Sequence, residues 1–280
     1  MAAVTTPTVR GRRLAKELRR LRERANLKAV DASRRLGWYR GKLSRIEDAI
    51  TRPTRDEVIE LLQLYGVDPD RHDAILHLTE DSWQRGWWTA YQDVFAGNYV
   101  MLEDQAPRIR SFEPQVIPGL LQTPDYARTL IRRVRLVEGD ELDELVAARM
   151  HRKTIMSREE PPELHYVIGE AAFRQVIGDE DLMYKQISQV VDYVIRHPNL
   201  TVQVLPFSVG EPLGLEGAYT LFEFPQDDGL DVGHTESMLG EWYAESADQI
   251  TRIRVAFAMV SEAAMPPEAS KEWLTDLLNR

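Results

Sequence analysis

The residues best suited to chemistry in this chain lie in one stretch, Leu36-Gly-Trp-Tyr-Arg-Gly-Lys-Leu-Ser-Arg-Ile-Glu-Asp-Ala49. A helix over residues 39–47 buries Leu43 and Ile46, three residues apart, and leaves Arg40, Lys42, Ser44 and Arg45 facing outward. Cations on an exposed helical face suit the reading of a polyanion. Arginine is the usual bidentate partner of guanine O6 and N7, and each base that neutralises a phosphate releases counterions.

The elements around this stretch form a compact helical unit. Leu14, Leu18 and Leu21 recur at helical spacing between Arg10 and Ala25, and a second short helix spans Ala29 to Leu36. Gly37 offers the positive φ of a tight turn. A fourth helix opens at Thr54 with Glu57 three residues on, a capping box, and buries Val58, Leu61, Leu62 and Tyr65 before Gly66. A short helix, a glycine turn and a second short helix with a cationic face describe a helix-turn-helix, whose second helix enters the DNA major groove.

Charge divides the chain in the same way. Residues 1–65 hold sixteen Lys and Arg against eight acids, a net of +8, whereas residues 66–280 are at −18. The basic head suits DNA and the acidic body is repelled by it.

Residues 10–68 resemble the XRE (phage-repressor-like) helix-turn-helix family, in the spacing of Leu36, Gly37, Leu43, Ser44, Arg45, Ile46 and Glu47. The resemblance implies that Arg40, Gly41, Ser44 and Arg45 face bases, that Lys42 reaches a phosphate, and that Glu47 pairs with Arg22. Tyr39 and Lys28 complete the expected DNA-facing set. Three residues depart from the family's pattern. Tyr39 stands where a Ser or Thr N-cap is usual, Gly41 places a helix-weakening residue in the recognition helix, and Ala29 replaces a polar residue that touches the DNA backbone. They predict weak intrinsic binding, or binding that needs a homodimer or a partner. A head that no longer binds DNA is the competing reading.

Beyond a helical linker at 71–82, the body from residue 83 to 280 reads as α+β with a mixed or antiparallel sheet. Strand patterns occupy 164–169, 201–205, 218–224 and 230–236. Helices fall at 140–157, 179–196, 247–264 and 268–279, with another opened by Thr123 and Pro124. The series IPGLLQTPDYAR, AARMHRK, GEAAF, NLTVQVLPF and a late FEFP resembles the C-terminal domain of the Scr-family antitoxin-like regulators of actinobacteria. That resemblance implies a transcriptional regulator with a small acidic partner protein encoded nearby, and it names no ligand or cofactor.

Other chemistry has less behind it. GxSxG, HExxH, GxxxxGK[ST] and GxGxxG are all absent, which leaves no common nucleophile, zinc or phosphate-loop motif. His165, Glu170, His234 and Glu236 are the one metal-like grouping, without a definable ligand set, so neither a metal nor catalysis is expected. Trp83, Trp87 and Tyr91 repeat at helical spacing as core or effector-pocket residues, and Trp88 breaks their stripe as an interface candidate. No apolar run approaches the ~20 residues that span a bilayer. The N-terminal segment lacks a signal-peptide core, and zero cysteines suit a reducing cytoplasm.

Overall fold

The computed structural model describes residues 9–79, 99–209, 217–225 and 231–279. The chain divides into two compact units, residues 1–90 and 91–280.

In the first unit, α1 (Val9–Arg24), α2 (Ala29–Arg35), α3 (Lys42–Glu47), α4 (Arg55–Leu64) and α5 (His72–His77) enclose one core. Its centre is the expected stripe of Leu14, Leu18 and Leu21 packed with Ala32, Leu43, Ile46, Val58, Leu61 and Leu62. The capping box forms as read: Thr54 Oγ1 accepts the Glu57 N–H at 3.2 Å, and a Glu57 carboxylate oxygen accepts the Thr54 N–H at 2.7 Å. Of the segment read as a linker, α5 contributes Ile75 and Leu76 to this core, so it is part of the head's packing.

The second unit is α+β, built on a six-stranded mixed sheet in the order β3-β2-β1-β4-β5-β6. Its strands are β1 (Arg108–Glu113), β2 (Glu163–Gly169), β3 (Leu200–Leu205), β4 (Tyr219–Glu223), β5 (Val232–Ser237) and β6 (Gly240–Ala244). The first three pair in parallel, and β4, β5 and β6 continue antiparallel. Two strands, β1 and β6, join the four expected ones. Between and after them lie α6 (Tyr99–Gln105), α7 (Pro124–Arg135), α8 (Gly139–His151), α9 (Glu170–Arg174), α10 (Glu180–Arg196), α11 (Ala247–Ala263) and α12 (Pro267–Leu278). Thr123 caps α7 by accepting the Tyr126 N–H, with Pro124 at the first turn.

The register assigns each polar residue to a face. Tyr166, Ser111, Thr220, His234 and Tyr243 form one row across the sheet. Tyr99 of α6 packs on this face against Phe222 and His234. The neighbouring row, His165, Arg110, Leu221 and Gly233, belongs to the opposite face, where Phe257 of α11 meets the His165 ring.

Candidate nucleic-acid interface

Between α2 and α3 the backbone makes two glycine-dependent turns. Gly37 takes φ 67° just after α2, and Gly41 takes φ 89° just before α3. Both values lie in the left-handed region that glycine enters at no steric cost. The second turn corrects the expected helix. Gly41 is the N-cap of α3 and lies outside its interior, the helix begins at Lys42, and Tyr39 does not cap it. Tyr39 and Arg40 therefore stand on the entry turn, and no side chain caps α3.

Below this surface α3 is held firmly. Leu43 and Ile46 are buried, and Glu47 at its last turn receives both Nε and Nη2 of Arg22, at 2.7 and 2.9 Å. Nη1 of the same guanidinium donates to the Leu27 carbonyl at 2.7 Å. The expected Arg22–Glu47 partnership is thus a buried, bidentate link between the first helix and the third. Pairing on this scale offsets the desolvation of both charges and fixes how α3 sits on α1.

The outer side chains separate into two groups. Arg40, Ser44, Arg45 and Lys28 are exposed, with no hydrogen bond or ion pair from their side chains among the described residues, and Tyr39 is exposed beside them. Lys42 is different. Its Nζ lies 2.5 Å from Glu57 Oε1 and 4.0 Å over the Trp38 ring. Partial burial works to raise the Glu57 carboxyl, but hydrogen bonds from Lys42 and Thr54 prevail and hold it below the usual carboxylate range. Lys42, expected to reach a phosphate, has its ammonium against a carboxylate of α4 and an aromatic ring in this structure. Ala29 is half-buried at the start of α2, and Lys28 before it provides no side-chain cap.

His165, Glu170, His234 and Glu236, the metal-like residues from which no site was expected, are not brought together. His165 and His234 lie on opposite faces of the sheet, Nε2 of the first 2.7 Å from Gln203 Oε1. Glu170 accepts the Phe207 N–H and the Arg174 guanidinium. His234 and Glu236 do share a face, yet His234 is buried under Tyr99 while Glu236 is exposed. Among the described residues no group of three or more ligand types is placed to hold a metal. Trp83, Trp87, Trp88 and Tyr91 lie outside the described residues.

Comparison with known families adds two findings. Residues 13–75 match the model of a Helix-turn-helix domain, the kind of domain carried by DNA-binding regulators. Residues 96–276, more than half the chain, match the Domain of unknown function (DUF5753). The chain belongs to the DUF5753 family. No curated protein and no solved structure matches it. Among the described residues no helix is long and apolar enough to cross a membrane.

The DUF5753 body holds a polar layer that sequence reading missed. Glu103 of α6 and Arg152, just past α8, form a buried bidentate pair at 2.6 and 2.7 Å, and the Arg152 guanidinium covers the Tyr99 ring. Arg149 donates to Gln122 Oε1 at 3.0 Å, and burial with the Arg152 charge pushes it down to about 10. Glu113, at the end of β1, is pushed up to about 7 by burial, against a hydrogen bond from Ser111 and with the help of the Glu236 charge. The only signal in the sequence was Arg149 and Arg152 at helical spacing, and nothing local pointed to Glu103, forty-nine residues away.

Proposed function

We propose that the chain is a sequence-specific DNA-binding transcriptional regulator of the XRE type, with a body of the Scr-family kind that holds two copies together and receives a signal. The carrying observation is the contrast on the head: Arg40 on the entry turn and Ser44 and Arg45 on α3 are exposed and uncommitted, while Lys42 is paired with Glu57. Arginines free on the leading side of a second short helix are the groups that reach guanine edges in this motif. Tyr39 and Lys28 extend the same surface toward the DNA backbone.

A six-residue recognition helix without a side-chain cap supports weak binding by one head. Two heads on a symmetric site add their contacts and read half-sites one or more helical turns apart. The body then supplies the dimer contacts, since heads of charge +8 repel one another. The signal is a partner protein, an acidic one in this reading, or an effector. It acts by favouring one arrangement of the two heads. The protein works in the cytoplasm and has no enzymatic role. Gel shift on DNA from upstream of its own gene, with and without the product of a neighbouring small acidic gene, tests the reading. A retarded band that responds to the partner is expected; no band in either condition overturns it.

A further inference from the structure

Arg149 of α8 is half-buried, and no carboxylate pairs with it among the described residues. Its Nη1 donates to Gln122 Oε1 at 3.0 Å, while the Nε–Nη2 edge has no partner among those residues. Burial acts on it most, then the Arg152 charge, and together they push it down to about 10. An unpaired cation so placed costs a folded chain stability. One turn on, Arg152 shows the usual remedy, with Nε and Nη2 both on the Glu103 carboxylate at 2.6 and 2.7 Å.

The acids nearby leave the Arg149 charge standing. A Cβ built on Gly119 would lie 3.4 Å from Arg149 Cδ and 3.2 Å from Arg152 Nη2, so the loop after β1 passes directly over both arginines. Glu113, where that loop begins, accepts the Ser111 hydroxyl at 3.2 Å and forms no ion pair among the described residues. A guanidinium in direct contact would hold its carboxyl down, yet burial carries it up to about 7. Both oxygens of Glu103 are taken by Arg152. Glu236, exposed on β5, acts on Glu113 and His234 and is not among the charges that act most on Arg149. The acids of α8, Asp140, Glu141, Asp143 and Glu144, are exposed in its first two turns, and Asp143 pairs with Arg128.

Two further observations point to a ligand. Arg149 and Glu113 each keep some surface open to water, although burial dominates the titration of both, which is the condition of groups lining a recess. On the same sheet face, Nε2 of the buried His234 has no hydrogen-bond partner among the described residues, and its ring lies against Tyr99, which the Arg152 guanidinium also covers. Glu113 is the last residue of β1, and the carboxyl ends of parallel strands are where such sheets present ligands. We propose that this recess binds a small organic monocarboxylate, held by the Nε–Nη2 edge of Arg149. Two parallel N–H donors match a planar carboxylate, and the neighbouring Glu113 and Glu236 disfavour an anion of higher charge. The inference rests on the reading that the body receives a signal, and it names the chemistry of that signal.

Thermal unfolding of the full chain without DNA tests it, in sodium acetate, benzoate or phenylacetate against sodium phosphate and chloride at matched ionic strength. The monocarboxylates are expected to raise the midpoint, with saturation. Arg149→Gln replaces the cation by an uncharged amide. It is expected to melt no lower than wild type without a probe, and to bind the carboxylates about tenfold or more weakly. General effects of the salts act on both proteins and cancel. Glu113→Gln keeps the carboxylate shift. Equal shifts in wild type and Arg149→Gln overturn the site, and a phosphate shift as large as the carboxylate one overturns the ligand class. If Arg149→Gln and Glu113→Gln both melt well below wild type, the two residues are a structural pair and the proposal falls. Each of these results leaves DNA binding itself to the gel shift without a carboxylate. A carboxylate that binds through Arg149 and leaves the gel shift unchanged overturns the signal reading and keeps the site.

Discussion

Lys42 Nζ sits 2.5 Å from Glu57 Oε1, on the same carboxyl group that closes the capping box at the start of α4. One acid thereby serves two helices: it satisfies a backbone N–H of α4 and anchors the first residue of α3. Half-buried pairs of this kind contribute more than exposed ones, whose median worth is ~0–1 kcal/mol. Lys42→Ala is expected to destabilise the head by about 1 kcal/mol and to leave the salt dependence of DNA binding unchanged. Lys28→Ala, by contrast, lowers the slope of log K against log salt by about 1. Anisotropy titrations at several salt concentrations measure both; a reduced slope for Lys42→Ala would return that lysine to the phosphates.

The Arg22–Glu47 pair makes a sharper demand. Removing one partner leaves an uncompensated buried charge, so Arg22→Ala or Glu47→Ala is expected to cost the head roughly 3–5 kcal/mol. The double change Arg22→Met, Glu47→Leu costs far less, because both charges leave together. Hydrogen exchange in the α1 and α3 amides reports it. If each single variant protects those amides as well as wild type, the pair is not what orders α3.

Ala49 follows α3 at φ 54°, a left-handed conformation that suits glycine. Ala49→Gly should therefore raise head stability by about 0.5–1 kcal/mol, the gain at the native φ exceeding the entropy that glycine adds to the unfolded chain. Urea unfolding decides, and a lower midpoint in the variant contradicts the assigned backbone.

Much of the head was legible because local signals agreed. Leucines at helical spacing, Gly37, the Thr54–Glu57 capping box and the Arg22–Glu47 partnership all read correctly. The start of α3 did not, because the same glycine suits a weak helix interior or a left-handed N-cap, and only its φ of 89° separates them. The fate of Lys42 was hidden for another reason, since its acid lies fifteen residues away on the next helix. In the body, β2 to β5 show apolar runs or alternation. β1 masks its pattern with Arg108, Arg110 and Glu113, of which Arg110 pairs with Glu223 of β4 at 3.0 Å. β6 is masked by its apolar turn at Met238-Leu239, which carries no hairpin signal.

The polar layer under the sheet predicts a pH effect. Glu113 holds its proton up to about 7 in the folded protein. An unfolded glutamate releases it near ~4.3, so between these values the folded state binds more protons and stability falls as pH rises. Glu113→Gln removes that loss. The stability of the variant relative to wild type should grow from about pH 4 to about pH 7, by at most ~1.4 kcal/mol per unit, and level off above. His234, pushed down to about 4 by burial, works in the opposite sense but is common to both proteins and cancels. Parallel stability curves across this range would remove Glu113 from the account.

The most direct test of the central claim compares wild type with the double variant Arg40→Ala, Arg45→Ala on a DNA site selected from a random pool. Each arginine that reaches a guanine edge is worth ~1–3 kcal/mol of discrimination against the wrong base. The variant is expected to bind the selected site at least about tenfold more weakly while binding random duplex nearly as before, so the ratio between the two collapses. An unchanged ratio, with the folded head intact by hydrogen exchange, would contradict the assignment of α3 and its entry turn as the surface that reads DNA.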